Sequence, residues 1–421
     1  MRAHLICSGT ELLLGQPVNT NATYLGRELA KLGIDLYTIV TVGDNLARLS
    51  EAIRQGGKGA DLVLVSGGLG PTEDDITRDA LAKALDIPLV HHEGARQVVG
   101  RFFQSRGKEI PEVNSRQFVA PPGARILDNP FGTAPGIYYE HRETTYVLLP
   151  GPPRELIPMF ENELLPLLKE QAGGMVTLSR VLKVAGIGEP AAEEKIKDLL
   201  HSANPTVAPT VKRGEVHLRI TAKAPGRQAA LALIEPVERE IRQRLGEYLF
   251  GRDAETLEEV VAKLLRRQGL TVAVAESCTG GLLAHRLTNI PGSSGYFQLG
   301  TVVYHNRWKE ELLGVPGEVL QKYGAVSRET AEAMARGIRE KAGTSIGIGI
   351  TGIAGPGGGT ADKPVGLVYL GLDWQGQVSV WREQWVGSRQ DIKWSSTQWA
   401  LVKLFQHLNG SGEKDDGQSD R

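Results

Sequence analysis

Hydrophobic residues over the first 170 positions fall alternately into short continuous runs and into stripes spaced three and four apart. The runs Ala3 to Cys7, Ile34 to Val42 and Asp61 to Val65 predict buried strands, and segments 21–32 and 46–55 predict helices. Strands near 138–139 and 146–149 lead into a helix ending near Lys169. This alternation predicts an α/β domain with a mostly parallel sheet over 1–170. After Gln171-Ala172-Gly173-Gly174 the order changes. Strands near 177–185, 206–211 and 215–221, with helices near 190–200 and 228–245, predict a small α+β module over 175–251.

A third pattern occupies 254–408. Thr256 and Glu259 have capping-box spacing ahead of the apolar face Val260, Val261, Leu264 and Leu265. A strand at 271–275 precedes a helix carrying Leu282, Leu283 and Leu287. A helix over 328–341, with Ala331, Met334, Ala335 and Ile338 inward, precedes strands at 345–350, 365–372 and 377–386. A closing helix over 391–407 completes a second α/β domain. The polar, glycine-containing stretch 409–421 is expected to be a disordered tail.

Composition narrows the function classes. No run approaches the roughly 18 apolar residues of a membrane span, and the apolar start stops at Ser8-Gly9, too short for a signal segment. Cys7 and Cys278 fall in different expected domains, so a structural disulfide is not expected and a reducing cytoplasm is the natural setting. A formal charge of −1 argues against a nucleic-acid footprint. Small anions remain possible ligands, because the 51 glycines cluster in loops whose amides can approach them.

In the last domain three segments place small or polar residues directly after a strand, where open α/β sheets bind ligands. They are Glu276 to Gly281, Thr301 to Lys309 and Thr351 to Thr360. Ser277 reads either as a nucleophile, with the following amides as an oxyanion hole, or as a helix N-cap. A cap does not need Gly280 and Gly281. For a base, His285 lies eight residues on and His305 would alternate away from Tyr304. Lys309 is a desolvated-lysine candidate, or an ordinary surface lysine. Cys278 is a rival nucleophile or buried filler. The Thr351 loop matches neither the phosphate-loop consensus nor the dinucleotide fingerprint.

Taken with Leu312-Leu313-Gly314-Val315, Gly324-Ala325-Val326-Ser327 and Lys363-Pro364-Val365-Gly366, these segments resemble the C-terminal domain of the CinA family, itself similar to nicotinamide-mononucleotide deamidase. The resemblance implies hydrolysis of nicotinamide mononucleotide (NMN) to nicotinic acid mononucleotide and ammonia, without a cofactor. It implies Ser277 as nucleophile, Lys309 as base and Tyr304 nearby. Thr279, Gly280, Gly281, Asn306, Thr351, Gly352, Ala354 and Gly355 would bind substrate. The resemblance implies that Lys393 stands where the family usually has an arginine; lysine keeps the charge but not the bidentate fork.

In the first domain, Ser66-Gly67-Gly68-Leu69-Gly70-Pro71-Thr72 follows a strand and opens a helix, an arrangement suited to phosphate. Asp74 and Asp75 could carry a divalent ion or complement the helix dipole. Asp44 is a third carboxylate at that edge, or a cap before Leu46. With Gly9 to Gly15, Asn19-Thr20-Asn21 and Pro150-Gly151-Pro152-Pro153, this region resembles the molybdopterin-binding fold and, more closely, the CinA N-terminal domain. That implies cleavage of ADP-ribose to AMP and ribose 5-phosphate by Asp44 and Asp75. It also implies a divalent metal (Mg, Mn or Co, with or without K) on Asp44, Asp74 and Asp75, and contacts from Gly67, Gly68, Gly70, Thr72, Pro150 and Gly151. The middle module resembles the family's KH-like connector, without a basic surface signature for RNA. The family habit and apolar sheet edges imply a homodimer. Two alternatives stand: a deamidase whose first domain only binds a nucleotide, and an interaction protein linked to competence or DNA damage.

Overall fold

The computed structural model describes residues 1–410; all but two residues of the expected 409–421 tail lie outside them. The chain forms two compact units, Met1–Ser179 with Thr221–Ile234, and Arg180–Ile220 with Glu235 onward. Among the described residues no helix is long and apolar enough to cross a membrane.

The first unit is built on β1 (Arg2–Ser8), β2 (Asp35–Val42), β3 (Leu62–Ser66), β4 (Arg125–Leu127), β5 (Gly136–His141) and β6 (Thr144–Leu149), in the order β2-β1-β3-β6-β5-β4. The first four in that order are parallel, and β5 and β4 continue antiparallel. Residues of β3 are buried throughout, as expected of an inner parallel strand covered on both faces. The pleat sends Leu5 and Leu64 into one core with Leu25 and Leu29 of α1 (Thr20–Lys31). It sends Ile6, Val63 and Val65 into another with Leu49 and Ile53 of α2 (Leu46–Gly56). The glycine loop after β3 runs into α3 (Thr77–Leu85).

The helix predicted to end near Lys169 is three pieces, Pro153–Met159, a π-turn Phe160–Leu164 and Leu165–Gln171. Pro158 and Pro166 lack the amide that would continue the ladder, and the π-turn takes up the mismatch. A helix at Glu93–Gln104 was not anticipated from the sequence.

The segment 175–252 forms β7 (Met175–Val184), β8 (Thr206–Lys212), β9 (Glu215–Pro225) and β10 (Leu249–Arg252), in the order β8-β9-β7-β10. The division between the compact units falls inside β7 and β9.

The C-terminal sheet has the order β12-β11-β13-β14-β15, from β11 (Val272–Glu276), β12 (Phe297–Val302), β13 (Ile346–Gly352), β14 (Leu367–Trp374) and β15 (Gln377–Gln384). β12, β11 and β13 are parallel, so their C-terminal ends share one edge; β14 and β15 are antiparallel. The helices that bear on the site are α4 (Leu257–Gln268), α5 (Leu282–Thr288), α6 (Asn306–Leu313), α7 (Arg328–Ala342) and α8 (Arg389–Leu408). Thr256 and Glu259 form the expected capping box on α4. On β13, Ile346, Ile348 and Ile350 fill the core, while Gly347 and Gly349 face α7. A Cβ on Gly347 would stand 2.2 Å from the Ala335 carbonyl oxygen, and one on Gly349 2.7 Å from that of Ala331. Gly371, paired with Gly349, would meet the Ala331 oxygen at 2.4 Å. The helix backbone therefore rests directly on the sheet.

Candidate active site

β11 ends on Glu276, which is fully buried. Its carboxylate accepts from the amides of Gly281 (3.1 Å), Leu283 (3.1 Å) and Ala284 (2.8 Å), at the start of α5. These are orphan donors of a helix N-terminus, which favours a negative partner. Gly281, with φ of 90°, is the N-cap and offers no side chain. Ser277 is thus not the cap, and that alternative falls. Its amide donates to the Ile350 carbonyl at 2.9 Å, which ties the turn to β13 and leaves the hydroxyl for other work. Among the described residues the Thr279 amide has no acceptor, and the Cys278 amide approaches only its own thiol. They can therefore serve a developing oxyanion.

Lys309 of α6 is 1% exposed, so the surface-lysine alternative also falls. Its Nζ donates to the Val303 carbonyl at 2.8 Å and reaches Ser277 Oγ and the Tyr304 carbonyl, both at 3.4 Å. No carboxylate pairs with it among the described residues. Burial pushes the ammonium below the ordinary lysine range, the condition under which an amine can act as a base. Cys278 is buried, and desolvation pushes its thiol up to about 12. It stays protonated at neutral pH and reads as core filler, not nucleophile. His305 caps α6 by accepting from the Arg307 amide, and His285 faces Asn289.

The other expected site residues divide into two groups. Thr351 is buried and donates to the Ala325 carbonyl at 2.6 Å, and Ala354 packs in the core. A Cβ on Gly352 would meet the Leu367 oxygen at 2.6 Å. These residues shape the loop, and only its backbone is free to face a ligand. Tyr304 and Asn306 are exposed at the strand edge, whereas Thr279 is buried with an unpartnered hydroxyl. Lys393 of α8 reaches Gly280: its Nζ lies 3.2 Å from where a Gly280 Cβ would stand.

Sequence reasoning missed Arg389. It donates to the Gly355 carbonyl at 2.7 Å and to the Tyr304 hydroxyl at 2.8 Å, and so joins two of the three site segments. The signal was present in Ser388 and Asp391, whose capping box opens α8. It puts Arg389 at the first helical position and Lys393 one turn later on the same face.

In the first unit the loop 67–70 has its carbonyls turned inward. Thr77 Oγ1 donates to the Gly67 oxygen (2.7 Å) and the Thr77 amide to that of Gly68 (3.1 Å). Buried Arg78 donates to the carbonyls of Leu69 and Gly70, and Gln117 also reaches Leu69. The amides of Gly68, Leu69 and Gly70 have no acceptor among the described residues. Such a row of free amides is of the kind that can receive an anion. Sequence reasoning missed Arg78 and Gln117, whose role depends on the loop's folded path. Gly151 lies against Gly67, and its carbonyl accepts from Asn21 Nδ2 at 2.7 Å.

The carboxylates are placed differently from expectation. Asn45 caps α2, while Asp44 accepts from the Thr10 amide (2.9 Å) and the Ser8 hydroxyl (3.3 Å). Asp75 accepts from the Thr72 amide (2.9 Å) and hydroxyl, and a Gly70 Cβ would stand 2.3 Å from its Oδ2. Asp74 is exposed, and both residues precede α3 instead of occupying its first turn. Among the described residues no three His, Cys, Asp or Glu side chains form a metal-holding group, so the expected Asp44, Asp74 and Asp75 triad is not assembled. The donors are hard oxygens. They fit a divalent ion only if substrate phosphate and water supply the remaining ligands.

Comparison with known proteins bears on both sites. A "Putative competence-damage inducible protein" of Moorella thermoacetica is 58% identical over 98% of this chain and 100% of its own. The chain belongs to the CinA family. A "CinA-like protein" of Kosmotoga olearia is 48% identical over 95% of this chain and 97% of its own. Three family models match in order: the probable molybdopterin binding domain over 4–170, the CinA KH domain over 179–251 and the CinA C-terminal domain over 254–408. A solved competence/damage inducible protein from Agrobacterium tumefaciens is 41% identical, covering 37% of this chain and 97% of its own, with a TM-score of 0.35.

The match to the CinA C-terminal domain encloses Ser277, Tyr304, Lys309, Arg389 and Lys393. In this CinA chain the guanidinium beside Tyr304 comes from Arg389, and Lys393 adds a second cation beside Gly280.

Proposed function

We propose that the C-terminal site is a serine–lysine amidase that hydrolyses the carboxamide of NMN to a carboxylate and ammonia. The observation that carries this reading is a lysine buried beside Ser277 Oγ with carbonyls as its other partners and, among the described residues, no counter-ion. Neutral Lys309 accepts the Ser277 proton as Oγ attacks the amide carbon. The oxyanion forms against the amides of Cys278 and Thr279. Collapse breaks the C–N bond, and Lys309 hands its proton to the departing ammonia. Water then cleaves the acyl-serine, with one proton passing through Lys309 back to Ser277. Lys393, beside Gly280, and Arg389, which bonds the Gly355 carbonyl and the Tyr304 hydroxyl, supply positive charge for the phosphate of the substrate. Ammonia release from NMN, measured beside Ser277→Ala, tests the reading. Equal release by both proteins would reject it.

For the first unit we propose hydrolysis of ADP-ribose to AMP and ribose 5-phosphate, supported by the amide cradle. A divalent ion held by Asp44 or Asp75 with substrate phosphate would neutralise phosphate charge. The chain's own part is to hold the pyrophosphate on the amides of Gly68 to Gly70. AMP release by Asp75→Asn at the wild-type rate would remove Asp75 from the cleavage, whereas no AMP from the unaltered chain across several divalent metals would leave binding without cleavage as the reading of this domain. The apolar edge strand β2, with Tyr37, Ile39 and Val40 exposed, supports a homodimer, which light scattering would test.

A further inference from the structure

We infer that the hairpin Arg213-Gly214-Glu215, between β8 and β9, is a positioning element of the C-terminal site, acting through the first two turns of α8. The amidase reading is needed only for the kinetic half of the test.

Three contacts make the clamp. Arg213 Nη2 lies 2.7 Å from Asp391 Oδ1 and 3.4 Å from the Gln390 carbonyl, and its guanidinium stands 4.5 Å from the Trp394 ring centroid. Gly214 has φ of 71°, and a Cβ there would meet Gln398 Cγ at 2.7 Å and Trp394 Cζ3 at 3.0 Å. Glu215 Oε1 accepts from Gln398 Nε2 at 3.2 Å. From the protein side, buried Arg286 donates to Gln398 Oε1 and Thr397 Oγ1 and approaches Trp394, with its centroid 5.1 Å away. The hairpin thus presses on a face of α8 that is fixed from behind.

The half-exposed Arg213–Asp391 pair would contribute little alone. Its importance lies in which carboxylate it holds. Asp391 Oδ2 closes the capping box by accepting from the Ser388 amide (3.0 Å) and hydroxyl (2.6 Å). One side chain therefore links the hairpin to the turn from which Arg389 reaches Gly355 and Tyr304, and from which Lys393 reaches Gly280. On this account the middle segment is a working part of the site, not a spacer.

The test uses the full chain with Arg213→Ala, Gly214→Leu and Arg213→Lys, read by hydrogen exchange and by NMN kinetics. The amides of Asp391 and Ile392, bonded to Ser388, are expected to exchange about tenfold faster in the first two variants. KM for NMN is expected to rise about three- to tenfold with kcat within about twofold, since cations that bind ground and transition states alike act on KM. Arg213→Lys should recover part of both effects. Unchanged exchange in Arg213→Ala, a surface substitution that should not impair folding, overturns the clamp. So does a fall in kcat with KM constant. If the wild type releases no ammonia, the amidase reading fails, and the exchange data still decide the clamp.

Discussion

Replacing Lys309 with methionine separates the chemistry of the site from its architecture. Methionine fills much of the same buried space, so the packing around α6 should survive. Two stability terms then oppose each other. The variant loses the donor to the Val303 carbonyl, at about 1–3 kcal/mol for a buried acceptor left unpaired. It also removes an amine whose charged form burial disfavours, a term of the opposite sign. The sign of the second follows from linkage. Burial holds the folded-state pKa of Lys309 below its ordinary 10.5. The wild type therefore loses stability as pH falls from the unfolded value to the folded one, and the loss is complete at lower pH. The opposed terms should leave the melting temperature within a few degrees. Activity should behave differently, because removing a general base costs roughly 10²–10⁴ in rate, or about 3–5 kcal/mol of barrier. The assay is ammonia release from NMN across pH, with thermal melts in parallel. Wild-type kcat/KM should rise with pH through a midpoint below 10.5, as the amine becomes neutral. A Lys309→Met enzyme within tenfold of wild type, or a wild-type profile without that limb, would refute the reasoning.

Other substitutions probe single contacts. Glu276→Gln replaces a carboxylate that serves three helix amides, and should cost about 2–3 kcal/mol, seen as a lower melting temperature of the C-terminal unit. Gly70→Ala would drive a Cβ into the Asp75 carboxylate; AMP release from ADP-ribose should fall at least about tenfold while ammonia release stays within twofold. Thr256→Ala opens the capping box on α4 and should cost about 1 kcal/mol in denaturant titration, with no effect on either activity.

Much of the fold was legible because its signals are local. The apolar runs of β1 and β3 and the Thr256–Glu259 spacing each depend on a few neighbouring residues. What escaped depends on contacts distant in sequence. Ser277 carries the pattern of a cap, and its amide's bond to the Ile350 carbonyl of β13, far along the chain, is what holds it out of that role. Asp44 could be read as the cap before Leu46, and only the folded path shows it held by the Thr10 amide while Asn45 takes the cap. Lys309 could be suspected but not assigned, because its burial is a property of α6 as packed. Arg389 was overlooked because attention fell on Lys393 in the same helix, although a capping box one residue earlier fixes where both point. The short helices Asn306–Leu313 and Gly317–Tyr323 hold too few turns to show a period.

The paired glycines under α7 act as a gauge for the whole C-terminal edge. Where most helices are kept off a sheet by a layer of side chains, this one has no such layer at Gly347, Gly349 and Gly371. The same helix is capped by Ser327, just after the Ala325 carbonyl that holds the Thr351 hydroxyl. The height of the loop after β13 is therefore set by bare backbone thickness, with no side chain able to repack and absorb a change. A single methyl group on that strand would lift the helix and its N-terminal turn together. The cost would be recorded at Thr351 and in the turn that orients Ser277, well away from the altered residue.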